Sequence, residues 1–274
     1  MAHGARGTGG DVTSGYAPVN GLQMYYEIHG AGQPLVVLPG AYMTIELMGE
    51  YIPTLARTRQ VIAVELQGHG HTADIDRPIT YESLADDTAA LLRHLGIEQA
   101  DVFGYSMGGT AALRVAMRHP ALVRKLVFVS GSFNTGGLYP ELLATVEQMT
   151  PDWLEGTPMR EAYNRTAPNP EAFPTLMAKV KQLNLAPQDW PAEEIQVITA
   201  PTMIVIGDSD GTRPEHAVEL FRLRGGGVFG DIVGLPAAQL VVLPGTSHLG
   251  ILDRVGWLVP MIEAFLDAPM PEQA

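Results

Sequence analysis

The run Asp101-Val102-Phe103-Gly104-Tyr105-Ser106-Met107-Gly108-Gly109-Thr110-Ala111-Ala112 decides how the rest of the chain is read. It opens as an apolar strand, Asp101 to Tyr105, that stops at a serine. From Met107 to Arg118 the sequence is rich in alanine, and His119-Pro120 supplies a helix stop signal. At the junction stands Gly104-Tyr105-Ser106-Met107-Gly108, a Gly-x-Ser-x-Gly sequence in the strand-turn-helix context it requires. A serine on so sharp a turn is held in a strained backbone, and flanking side chains collide there, which calls for glycine on both sides. The turn lifts the Ser106 hydroxyl clear of a sheet. It also aims the positive end of the next helix at charge developing beside that hydroxyl. An idle serine in a glycine-rich loop is the alternative, and the flanking strand and helix weigh against it.

Outward from this junction, apolar runs recur. Leu35 to Leu38 ends at Pro39-Gly40, and Gln60 to Leu66 ends at Gln67-Gly68-His69-Gly70. Lys125 to Val129, Thr202 to Ile206 and Leu240 to Leu243 follow, the last two ending at Gly207-Asp208 and Pro244-Gly245. Such continuous β-branched runs suit strands buried on both faces of a parallel sheet. Tyr16 to Val19 and Leu22 to His29, joined by Asn20-Gly21, read as a hairpin, because Asn-Gly supplies the positive φ angles of a two-residue turn. Helical patterns at 81–95, 107–118, 214–222 and 255–266 alternate with the strands. The expectation is an α/β fold, a mostly parallel sheet with helices on both faces.

One stretch breaks the rhythm. From Gly131 to Ala200 the strand pattern disappears, and prolines divide a segment that holds Met149, Trp153, Met159, Phe173 and Trp190. It reads as a small helical lid inserted into the sheet domain (15–130 and 201–270), with 1–14 as a flexible tail. A second insert, Arg222 to Pro236, is rich in glycine.

Composition narrows the function classes. The 274 residues carry 30 Asp plus Glu against 17 Lys plus Arg, a formal net charge of -13. An acidic surface repels phosphate backbones and anionic lipid, so neither nucleic acid nor membrane is expected as a partner. Cysteine is absent, which excludes disulfides, thiolate catalysis and Cys-ligated metal, and fits a cytoplasmic location. The N-terminus has no apolar signal region. No phosphate loop, dinucleotide fingerprint or metal-ligand spacing appears, so no cofactor or metal is expected.

Taken together, Leu38-Pro39-Gly40, Gln67-Gly68-His69-Gly70, Gly104 to Gly109, Gly207-Asp208-Ser209-Asp210 and Pro244-Gly245-Thr246-Ser247-His248 resemble the α/β-hydrolase superfamily over about 16–266. Within it the chain is most similar to small bacterial serine esterases, lactonases and cofactor-free perhydrolases. The resemblance implies Ser106 as nucleophile and His248, in the loop before the last helix, as its base. The orienting acid belongs near Gly207, where two carboxylates compete. The family pattern Gly-x-x-Asp selects Asp210 and leaves Asp208 as a turn residue. The oxyanion donors implied are the backbone N–H groups of Met107, directly after the nucleophile, and of Ala41, after the glycine. His69 and His71 also lie near the end of a strand, where the resemblance makes their turn structural.

The activity this implies is hydrolysis of carboxylic esters or lactones through an acyl-enzyme, on a small-molecule substrate. Perhydrolysis and C–C bond hydrolysis use the same residues, and a hydrolase-fold receptor without turnover is the alternative outside enzymes. Aspartate nucleophiles, as in haloalkane dehalogenases and epoxide hydrolases, are disfavoured by Ser106. Tyr42, Trp153, Phe173 and Trp190 are expected to line the substrate pocket. Nothing in the residues fixes the oligomeric state.

Overall fold

The computed structural model describes residues 12–270. Eight strands form one sheet in the order β1-β2-β4-β3-β5-β6-β7-β8. They are β1 (Thr13–Val19), β2 (Leu22–His29), β3 (Gln33–Leu38), β4 (Arg59–Val64), β5 (Ala100–Tyr105), β6 (Val123–Val129), β7 (Thr202–Ser209) and β8 (Ala238–Ser247). β1 and β2 pair antiparallel through the expected turn, where Asn20 (φ 48°) and Gly21 (φ 87°) both take positive φ. β2 pairs antiparallel with β4, and from there to β8 every pairing is parallel. β1 begins at Thr13, within the stretch read as tail; residues 1–11 lie outside the described residues.

The helices are α1 (Tyr51–Leu55), α2 (Tyr81–His94), α3 (Met107–Arg118), α4 (Pro140–Gln148), α5 (Pro158–Thr166), α6 (Phe173–Leu185), α7 (Ala192–Gln196), α8 (Pro214–Leu223), α9 (Gly230–Val233) and α10 (Val255–Asp267). Strand side chains alternate between two cores, as period two requires. Val36, Ile62, Val102, Leu126 and Ile204 face α2, α3 and α8, while Val37, Ala63, Phe103, Val127 and Met203 face α1 and α10. Between β6 and β7 the chain makes α4 to α7 and adds no strand to the sheet.

Two features of this layout matter for the site. β4 and β5 lie on opposite sides of β3, so the strand order reverses between β3 and β5, and a crevice opens at their carboxyl ends. At the other end of β6, buried Lys125 donates through Nζ to the carbonyls of Phe265 (2.8 Å), Leu266 (3.3 Å) and Ala268. That contact closes the C-terminal turn of α10, where helix carbonyls otherwise lack donors.

Candidate active site

Ser106 joins β5 to α3 with φ 57° and ψ -121°. A residue with a Cβ is strained there, and the neighbouring backbones explain why the turn holds. A Cβ on Gly104 would stand 2.1 Å from the Gly108 carbonyl oxygen, and one on Gly108 would stand 2.1 Å from that of Leu38. Only glycine lets α3 seat so closely on β5 and on the loop after β3. This close seating puts the α3 N-terminus beside Pro39 to Ala41. Neither the Met107 nor the Ala41 N–H donates to another backbone group among the described residues, so both are free to bind an anion.

Four non-glycine residues among those described have positive φ: Asn20, Tyr42, Ser106 and Ser130. Asn20 belongs to the hairpin turn. The others follow β3, β5 and β6, so backbone strain gathers around the crevice, as it does at functional sites.

His248 enters from the loop after β8. Its Nε2 is 2.9 Å from Ser106 Oγ, and its Nδ1 is 2.7 Å from Asp210 Oδ1. A carboxylate only accepts, so Nδ1 carries the proton and Nε2 accepts from the Ser106 hydroxyl. Asp210 is fully buried in its side chain. Burial by itself raises its pKa, yet the hydrogen bond and charge of His248, the Ser130 hydroxyl and the Thr212 N–H together hold it below the ordinary carboxylate range. Ser130 Oγ donates to Asp210 Oδ2 at 2.5 Å, and the Thr212 N–H donates to Oδ1 at 3.1 Å. Both carboxylate oxygens are therefore engaged.

Asp208 lies apart from this chain of contacts. It accepts the N–H groups of Gly245 (2.8 Å) and Thr246 (3.1 Å), which pull its pKa down. It thereby braces the turn that delivers His248. Arg254 ties the same turn from the other side, through Thr246 Oγ1 (3.0 Å) and the Gly245 carbonyl (2.9 Å). The buried Tyr105 hydroxyl donates to the His248 carbonyl at 2.9 Å. Sequence reasoning passed over Ser130, Tyr105 and Arg254. The one available signal for Ser130 is its place directly after a sheet strand, at the end where Ser106 also stands.

A cavity of about 200 Å³ opens on Ser106 and His248. Its apolar wall is Leu138 with Leu142, Leu143 and Val146 of α4. The aromatic residues expected there are placed elsewhere. Phe173 is fully buried, 5.0 Å from the Tyr163 ring and 6.3 Å from Tyr42, with the Arg160 guanidinium over its face. Trp190 meets Tyr81 edge-on and carries the Arg114 guanidinium, beside a separate cavity of about 360 Å³. Trp153 is 52% exposed. Large aromatic rings gain most by packing against other elements, and for Phe173 and Trp190 that use wins over contact with the cavity. Tyr42 packs near Phe173 of α6 and is not among the cavity-lining residues. His71 pairs with Glu65 (2.9 Å) and stacks on Tyr25, and His69 is buried against the Gln67 carbonyl, so neither enters the site.

Residues 33–177, more than half of the chain, match the family described as alpha/beta hydrolase fold. The chain belongs to the α/β-hydrolase family. Over 198 residues it is 27% identical to a putative carbamate hydrolase of Azorhizobium caulinodans, covering 72% of this chain and 68% of that one. Over 269 residues it is 26% identical to a putative esterase/lipase of Haemophilus influenzae, covering 88% of each. A meta-cleavage product hydrolase from Pseudomonas fluorescens superposes with a TM-score of 0.75 at 19% identity, over 93% of this α/β-hydrolase and 97% of that chain. No helix among the described residues is long and apolar enough to cross a membrane.

Proposed function

We propose that this α/β-hydrolase cleaves carboxylic esters or lactones through an acyl-enzyme on Ser106. The observation that carries the reading is the continuous hydrogen-bond path Ser106–His248–Asp210 at 2.9 and 2.7 Å. A serine hydroxyl is a weak nucleophile at neutral pH and gains reactivity from an adjacent base that a third group orients. As Ser106 Oγ bonds to the substrate carbonyl carbon, its proton passes to His248 Nε2. The imidazolium so formed is stabilised by Asp210 through Nδ1–H. The carbonyl oxygen becomes an oxyanion and receives the N–H groups of Met107 and Ala41. Collapse of the intermediate breaks the ester C–O bond, and His248 returns its proton to the departing alkoxide. Water, deprotonated by His248, then attacks the acyl carbon, and Ser106 leaves as the alcohol. Ser130 acts as a positioning residue, since its hydroxyl fixes the carboxylate oxygen that His248 does not use. The esterase/lipase and carbamate hydrolase names of the relatives support chemistry at an acyl carbon.

A fluorophosphonate probe tests the nucleophile, with turnover of p-nitrophenyl butanoate alongside. Wild type is expected to be labelled and active, and Ser106→Ala to be unlabelled, with activity down by at least about 10⁴-fold and the fold retained. Persistent labelling of Ser106→Ala overturns the assignment.

A further inference from the structure

The cavity on Ser106 is unusual in what it leaves out. None of the residues that line it is Asp, Glu, Lys or Arg. Most of its polar groups are already committed to the protein. Thr110 Oγ1 donates to the Ser132 carbonyl and accepts the Ser132 N–H, each at 3.1 Å. Ser130 and the Thr212 N–H serve Asp210. The Ser132 hydroxyl has no such partner, and neither does Asn184 of α6, a half-buried amide in the wall whose side chain bonds to no other described residue. Facing it are Leu138, Leu142, Leu143 and Val146, half-buried in a helix and approach that bury no side chain of their own in a core.

The size of the space sets a second limit. A cavity of about 200 Å³ lies below the roughly 300 to 1,000 Å³ of pockets that take drug-sized ligands, which favours a small acyl group. A carboxylate carried into it gives up part of its water and meets leucine and valine with no cation to pair with, which is costly. The net charge of -13 adds repulsion during approach. A neutral chain meets no such penalty and gains from contact with α4.

We infer that the acyl half of the substrate is short and uncharged, selected by the α4 wall and by the one uncommitted amide, Asn184. The inference rests on the hydrolytic reading above and narrows it to a substrate class: neutral short-chain esters or small lactones. Acids whose second carboxylate must enter with the acyl chain are excluded.

The test compares methyl pentanoate with monomethyl glutarate, whose acyl chain differs by a terminal carboxylate, in a pH-stat assay. A p-nitrophenyl series from acetate to dodecanoate is run in parallel. The expected result is kcat/KM lower by at least about 100-fold for the glutarate ester, and a maximum at short chains falling off beyond about eight carbons. Asn184→Arg, and separately Leu143→Arg, supply the missing cation. Either is expected to raise the glutarate ester by about tenfold or more without raising the pentanoate ester. Binding of butylboronic acid against 4-boronobutanoic acid gives the same comparison without turnover. Comparable rates and affinities for charged and uncharged members overturn the selectivity while leaving the hydrolytic reading intact. So does a maximum at dodecanoate. Inertness of every ester and lactone, with Ser106 still labelled, removes the hydrolytic reading and this one with it.

Discussion

Ser130 holds a backbone conformation (φ 53°) that a side chain makes strained, and spends its hydroxyl on Asp210. The hydrogen bond stabilises the ionised carboxylate and draws charge away from the oxygen facing His248. Removing it leaves that charge to bind the His248 proton more tightly. Ser130→Ala is therefore expected to lower kcat by about 10- to 100-fold, the worth of one hydrogen bond to a charged group, with little change in KM. The acid limb of the kcat/KM profile should move to higher pH. The groups facing Asp210 are His248, Ser130, the Thr212 N–H and, more remotely, Tyr105, so no other carboxylate confuses the assignment. A lower rate with an unmoved limb assigns Ser130 to packing alone. The two aspartates of the β7 loop separate in the same assay. Asp210→Asn is expected to cost on the order of 10⁴-fold in kcat, because an amide favours the wrong imidazole tautomer. Asp208→Asn keeps an acceptor for Gly245 and Thr246 and should cost less than about tenfold. A larger loss at Asp208 reverses the roles.

At the scale of elements, α4 and α6 divide the work of the insertion. α4 buries none of its residues and turns Leu142, Leu143 and Val146 to the cavity, while α6 buries Phe173, Leu176, Met177 and Val180 against the sheet domain. Leu143→Ala should shift chain-length preference in kcat/KM toward longer acyl groups, with the urea midpoint nearly unchanged. Phe173→Ala should cost about 3 to 5 kcal/mol of stability, read from urea unfolding, as truncation of a fully buried aromatic does. The opposite pattern makes α6 the selective element. This division was the hardest part to read from the chain alone. The parallel strands were legible because they are short, largely apolar runs closed by turn residues, and the elbow because only glycine tolerates backbone contacts near 2.1 Å. Ser106, Asp210 and His248 were legible as motifs at strand ends. The insertion has no such constraint: its large aromatic side chains suit a core as well as a pocket, and a two-turn helix starting at Pro140 gives a short amphipathic signal. Ser130 was hidden for another reason. A lone serine after a strand carries no pattern, and its partner stands 80 positions away.

For the molecule as a whole, the acid side of its stability curve is set in part by two buried histidines outside the Ser106–His248–Asp210 path. Burial pushes His69 down to about 4, and burial with the Arg213 charge does the same to His216, whose Nε2 accepts the Phe133 N–H at 3.1 Å. In the unfolded chain both titrate near 6.5. Between about pH 6.5 and 4 the unfolded state therefore binds protons that the folded state refuses, so stability is lost as pH falls through that window. The urea midpoint should drop between pH 7.5 and pH 5, and drop less in His216→Gln; an identical drop in both excludes His216 as a contributor. Lysine placement carries a different consequence. The sequence has three lysines. Lys125 is locked beneath the end of α10, at the rim of the sheet remote from Ser106, and Lys179 and Lys181 both stand on α6. Apart from the terminal amine, amine-reactive coupling to a resin grips the insertion that walls the cavity and is expected to stiffen or occlude it. A tether attached beyond Ala268 grips the opposite rim and leaves the mouth of the cavity facing the flow.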